Sequence, residues 1–164
     1  MSSASLAPEP YRAVAARLPG AVCVVTVVWR GAVHATTVSS AVSVSLDPAQ
    51  LLFVVHADAR LADALDEVDL WTLSVLAKDQ APVADWLASA GRPVVDQLLR
   101  VPHVVSPLTG AVRVEGAAAW FDARTAAVHP GGDHVIVVGT VLDAHEGGGA
   151  GALVHLGGGL RPLA

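Results

Sequence analysis

The densest concentration of chemistry in the chain is a run of short hydroxyl side chains: Thr36, Thr37, Ser39, Ser40, Ser43 and Ser45. Hydroxyls of this size, beside free backbone amides, can hydrogen-bond the carbonyl oxygens and ring nitrogens of a bound heterocycle. In an extended segment, alternation sends Ser39, Ser43 and Ser45 to one face and Ser40 to the other, and a bend near Ser40 would gather more of them together. The same pattern also describes the polar face of an ordinary strand, so the cluster alone does not decide. A second candidate is Gly131-Gly132-Asp133-His134, where a tight glycine turn delivers an imidazole to the mouth of an apolar strand. There it could donate a proton near neutral pH. The plainer reading is a hairpin turn whose aspartate caps backbone amides.

Other chemistries find little support. Seven histidines are scattered through the chain, but no pair has the i, i+4 spacing of a zincin and Cys23 is the only cysteine, so no metal site is expected. Neither a G-x-S-x-G elbow, nor a glycine-rich loop ending in Lys-Ser or Lys-Thr, nor a G-x-G-x-x-G turn after a strand is present. Net charge is −5 and Lys78 is the only lysine, which argues against nucleic acid as a partner. Any phosphate must therefore be held by arginine, hydroxyls or backbone amides.

The elements that would position these groups are mostly strands. With 164 residues, 53% of them hydrophobic and 15% charged, the chain should bury one core in one domain, with some apolar surface covered by another subunit. A homodimer is expected on that ground. The first ten residues read as a flexible lead without a basic n-region or an apolar h-region, and later apolar runs are too short to span a bilayer, so a soluble cytoplasmic protein with no membrane partner is expected. Tyr11, Val14, Ala15 and Leu18 share one helical face, and Pro19-Gly20 stops that helix. β-branched runs follow at 21–29, 32–39 and 41–45, punctuated by Arg30-Gly31 and Asp47-Pro48, and Leu51 to His56 and Leu70 to Leu76 read as further strands. Helices are expected at 61–68, 83–90 and 94–99. Residues 121–127 alternate as a strand with Asp122 and Arg124 on a wet face, and 135–142 is a nearly continuous apolar strand. Many short strands with few helices favour a closed or partly closed barrel, which leaves no exposed sheet edge. Trp71, Trp86 and Trp120 are expected as core or dimer anchors.

Taken together, Leu18-Pro19-Gly20-Ala21-Val22-Cys23-Val24-Val25-Thr26, Thr37-Val38-Ser39-Ser40, Ser43-Val44-Ser45-Leu46-Asp47-Pro48 and Gly132-Asp133-His134 with Val137-Val138-Gly139 resemble the short-chain flavin reductases in order and spacing. Those are the small components of two-component flavin monooxygenases, and the resemblance spans roughly Tyr11 to Leu160. It implies a mainly β fold with a few helices, the FMN-binding split β-barrel, over residues 11–164. It also implies a homodimer that binds FMN or FAD, takes hydride from NADH or NADPH, and passes reduced flavin to a flavin-dependent monooxygenase.

By the same resemblance, Thr36, Thr37, Val38, Ser39, Ser40 and Ser45 lie along the isoalloxazine and ribityl chain. His56, Ala57 and Arg60 belong to the phosphate cradle, and His134 sits near nicotinamide and flavin ring as the catalytic residue. The flavin would carry the redox chemistry, leaving the protein to position two rings and exclude water. Three positions depart from the family. Ala59-Arg60-Leu61 stands where relatives often have Ser-Arg-Thr, which predicts a weaker hold on phosphate; Ser74 replaces an asparagine; and the C-terminal tyrosines are absent. These departures keep two alternatives open: a relative recruited to another pathway step with weak or no flavin binding, and a non-catalytic flavin-binding accessory subunit.

Overall fold

The computed structural model describes residues 7–93 and 95–164. Residues 1–6 of the expected lead, and Val94 of the expected helix 94–99, lie outside that range. In chain order the elements are α1 (Pro8–Ala15), β1 (Gly20–Ala21), β2 (Cys23–Trp29), β3 (Ala32–Val38), β4 (Ala41–Leu46), β5 (Ala49–His56), α2 (Arg60–Leu65), β6 (Leu70–Val75) and α3 (Ala81–Ala88). There follow β7 (His103–Val105), β8 (Val112–Val114), β9 (Ala119–Gly131), β10 (His134–Glu146), β11 (Ala152–Leu156) and β12 (Gly159–Leu163).

Seven strands form one antiparallel sheet in the order β3-β2-β6-β9-β10-β5-β4. Its two edge strands, β3 and β4, are consecutive in sequence and are joined only by Ser39 and Ser40. Strands sit about 4.8 Å apart, so a flat sheet of this size would hold its edges roughly 29 Å from each other. A two-residue link reaches only about 10 Å. The sheet must therefore curl until its edges meet, and Ser39-Ser40 marks the seam. There Val54 N–H donates to Ser40 O at 2.9 Å, and Gly20 lies so close that a Cβ on it would sit 1.9 Å from the Ser39 carbonyl oxygen. This is the expected mainly β, split-barrel architecture.

Local sequence explains the framework. Arg30 (φ 51°) and Gly31 (φ 77°) make the two-residue turn whose twist suits a hairpin, and they connect the paired residues Trp29 and Ala32. β2 is buried on both faces, which is why it reads as an unbroken β-branched run. Cys23, Val25 and Val27 join Phe53, Val55, Trp71, Leu73 and Val137 inside the barrel, where Leu61, Ala64 and Leu65 of α2 also pack. Val22 and Val24 face a second cluster with Leu76, Leu87, Val112, Val114 and Leu153. Trp71 is fully buried and meets Phe53 edge-on at 5.0 Å.

Two expectations are corrected. Residues 95–100 form turns rather than a helix, because Asp96 adopts φ 61° in the left-handed region. Asp122 does not face water. It is fully buried beneath the β7–β8 hairpin, accepting hydrogen bonds from Thr72 Oγ1 (2.7 Å), Ser106 Oγ (2.6 Å) and the Arg113 guanidinium. That hydrogen bond, opposed by burial, raises the Arg113 guanidinium above the usual arginine range.

Candidate functional site

Three elements converge on a cavity of about 250 Å³. β3 supplies His34, Ala35 and Thr36; the start of α2 supplies Ala59, Arg60 and Leu61; the segment after α3 supplies Ser89 to Pro93 and Gln97. Arg92 ties that last segment down. Its Nη2 donates to Ala35 O at 2.7 Å, Nη1 to Ser89 O at 3.0 Å and Nε to Gln97 Oε1 at 3.2 Å. Gln97 in turn donates to Val33 O at 3.1 Å, so the segment is stitched to β3 at two points.

The electrostatics of this cavity are one-sided. Neither Arg60 nor Arg92 has a carboxylate partner among the described residues, whereas Arg12, Arg30, Arg113 and Arg124 each do. Burial, and then the nearby charge of Arg60, pulls the Arg92 guanidinium below the usual arginine range. Burial, and to a lesser degree Arg60, also holds the His34 imidazole below the usual histidine range, against a backbone hydrogen bond with Trp29 that raises it. His34 is only 7% exposed, and its Nδ1 is a buried nitrogen without a partner among the described residues. A cavity lined by two cations and no acid suits an anionic ligand such as a phosphate.

A second feature lies where β5 ends and β10 begins. His56 and His134 are cross-strand partners with ring centroids 5.1 Å apart in edge contact. His134 Nδ1–H donates to Asp133 Oδ1 at 2.7 Å, which lowers the Asp133 carboxyl below the usual carboxylate range and leaves Nε2 of His134 as the free atom. The backbone N–H of Asp58 donates to His56 Nδ1 at 3.2 Å, so the free atom there is likewise Nε2. Both rings are about half exposed, His134 at 42% and His56 at 51%.

The residues singled out from sequence thus fall into several places. Thr36 and Arg60 share the cationic cavity. His56, Ala57 and His134 sit together at the end of β5, with Ala57 N–H donating to Asp133 O at 2.9 Å. Ser39 and Ser40 occupy the seam. Val38 is buried in the barrel core, and the Thr37 hydroxyl is occupied by Ala84 O of α3 at 2.8 Å. Any role of these two toward a ligand must run through their backbone. Ser45 pairs with Gln50 at the opposite end of β5 from His56 and lines a separate, apolar cavity of about 280 Å³ with Ala41, Val42, Leu46 and Val75.

Sequence reasoning missed His34, Arg92 and Gln97. Only one signal pointed to Arg92: in a chain with one lysine, each arginine is a candidate anion ligand. Among the described residues no group of three or more His, Cys, Asp or Glu is placed to hold a metal, and no helix is long and apolar enough to cross a membrane.

Comparison with known proteins gives a consistent result. The family model described as "Flavin reductase like domain" matches residues 15–164. The NADH-dependent FMN reductase AsuE2 of Streptomyces nodosus subsp. asukaensis is 36% identical over 146 residues, 88% of this chain and 79% of that protein. Among solved structures, BorF, the flavin reductase component of a bacterial two-component tryptophan halogenase, matches with TM-score 0.89 and 36% identity, covering 96% of this chain and 98% of BorF. The NADH:FAD oxidoreductase SgcE6 of Streptomyces globisporus, in complex with NAD and FAD fragments, matches with TM-score 0.88 and 30% identity over 98% of both chains.

Proposed function

The chain belongs to the flavin reductase family, and from that premise we propose that it is an NADH-dependent flavin reductase that hands reduced FMN or FAD to a flavin-dependent monooxygenase. The observation that carries this reading is the acid-free cavity between β3, the start of α2 and the segment after α3, where Arg60 and Arg92 fit the phosphate end of a flavin. Bound flavin would supply the redox chemistry, accepting hydride from NADH.

The chain's own residues then divide the remaining work. Arg60 neutralises phosphate charge, while the backbone of residues 36–40 and the Ser39 and Ser40 hydroxyls line the seam beside it. His134 is assigned to the nicotinamide end: Asp133 fixes its Nδ1–H, so Nε2 is the atom that can hold or donate a proton there. Arg92 and Gln97 tie residues 89–93 and 95–97 to β3, which forms one wall of the cavity.

The same reading includes a homodimer. Val42, Val44 and Leu46 on edge strand β4 are 57%, 48% and 93% exposed beside the apolar cavity that Ser45 lines, a surface that a second copy would cover. Leu46→Asp is expected to shift the mass in light scattering from dimer to monomer; a monomeric wild type would dismiss the dimer.

The central test mixes purified protein with NADH and either FMN or FAD while NADH absorbance is followed. Oxidation should exceed the flavin-only control, and its absence would overturn the reading. His134→Ala should slow hydride transfer more than it weakens flavin binding, and equal loss of both would remove the assigned role.

A further inference from the structure

The cationic cavity is more selective than a general flavin site needs to be. Arg92 is largely withdrawn from solvent, yet all of its partners are neutral: two backbone carbonyls, the Gln97 amide oxygen and, at 3.4 Å, the Thr36 hydroxyl. Arg60 lines the same space without an acid of its own. Arg60 is exposed to solvent, so the two guanidiniums repel one another only weakly, and a ligand of opposite charge is attracted by both.

The size and charge of the space limit what that ligand is. About 250 Å³ falls below the ~300–1,000 Å³ of pockets that enclose a drug-sized molecule. The space is half open, and its volume suits a phosphate and the chain leading to it. A phosphate monoester carries about −1.5 to −2 charge at pH 7 and offers three strong acceptor oxygens. The inner phosphate of FAD carries one ester and one anhydride bond, which leaves it less charge and fewer free oxygens, and riboflavin has no phosphate.

We propose that this cavity is built for a dianionic terminal phosphate, with Arg92 as its second cation, so that the chain binds FMN in preference to FAD or riboflavin. The proposal rests on the flavin reductase reading and deepens it. It also gives the missing hydroxyls at Ala59 and Leu61 a physical answer, since a guanidinium from a different segment stands in for them.

The test titrates flavin-free protein with riboflavin, FMN and FAD and measures each dissociation constant. FMN should bind tightest, and Arg92→Met should weaken FMN by roughly 10- to 100-fold, the worth of a charge-assisted hydrogen bond, while weakening riboflavin by much less. Because Arg92 also anchors the segment 89–97, Arg92→Lys serves as a second variant: it keeps the charge, loses the fork, and should retain part of the preference for FMN. Inorganic phosphate should raise the melting temperature of the wild type and not of Arg92→Met. Equal affinity for the three flavins, tighter binding of FAD than FMN, or a parallel loss of riboflavin and FMN in Arg92→Met overturns the proposal. If NADH oxidation proceeds with riboflavin as well as with FMN, the phosphate proposal fails and the reductase reading stands. If no flavin is reduced while phosphate still protects the wild type through Arg92, the reductase reading fails and the anion site stands.

Discussion

Gly20→Ala should damage flavin binding without touching a flavin contact. A Cβ at position 20 would lie 1.9 Å from the Ser39 carbonyl oxygen and 3.1 Å from its carbon, whereas real Cβ atoms essentially never approach another heavy atom within 3.0 Å. Ser39 must therefore retreat by at least about 1 Å, a displacement that, carried to the reacting rings, can cost on the order of 100-fold in rate. It has little room to do so alone. Val38 is locked in the barrel core, and the Ser40 carbonyl is held by Val54 N–H at 2.9 Å. The strain passes into the Ser39-Ser40 link that closes the barrel. Overpacking of this kind costs about 1–3 kcal/mol, which for a chain of this length lowers the melting temperature by roughly 2–12 °C. Thermal melts and flavin titrations would be run beside Gly139→Ala, whose Cβ would come within 2.2 Å of the Trp71 ring in the core. Gly139→Ala should lose stability with a smaller effect on flavin. Wild-type melting and flavin affinity in Gly20→Ala would refute the seam as the binding element.

Three further outcomes follow from buried or shifted groups. Asp122→Ala strips Arg113, Thr72 and Ser106 of their shared acceptor and should cost about 3–5 kcal/mol, read by urea unfolding; a loss below about 1 kcal/mol would show that Asp143 takes over the guanidinium. Burial depresses the His34 imidazole in the folded chain, so the unfolded chain binds the proton more readily and stability is present above the unfolded value of 6.5 and lost as pH falls below it. His34→Gln should flatten that limb, and an unchanged pH profile of unfolding counts against the assignment. Burial pushes the Cys23 thiol up to about 12, so it should resist a thiol reagent at pH near 8 until the protein is denatured, and rapid labelling of native protein would contradict the packing.

Much of the framework was legible because turn residues and β-branched runs speak locally. The hairpin through Arg30-Gly31 and the strands at 51–56 and 70–76 were recovered to within a residue or two. The illegible parts all depend on what covers a face. Alternation correctly separates Asp122 from Phe121 and Ala123, but it cannot say that a hairpin at 103–114 will bury the aspartate's side of the sheet. That hairpin is itself two three-residue strands, too short to produce a period. The β11–β12 pair is two five-residue strands joined through a glycine run at 157–159, too short and too glycine-rich to show a strand period. Helical spacing at 94–99 gave no warning of the left-handed backbone at Asp96.

The site repeats this lesson with more consequence. Thr36 and Arg60 were both named from sequence, yet nothing in sequence places them in one cavity. That follows only from closing the sheet, which sets β3 against the start of α2. The same closure explains why Arg92, more than thirty residues beyond Arg60, belongs to the site: its guanidinium reaches the carbonyl of Ala35 because β3 is an edge strand with backbone acceptors to spare. An edge that elsewhere would invite aggregation is here capped by an arginine, and the capping leaves a positive charge in a space with no acid.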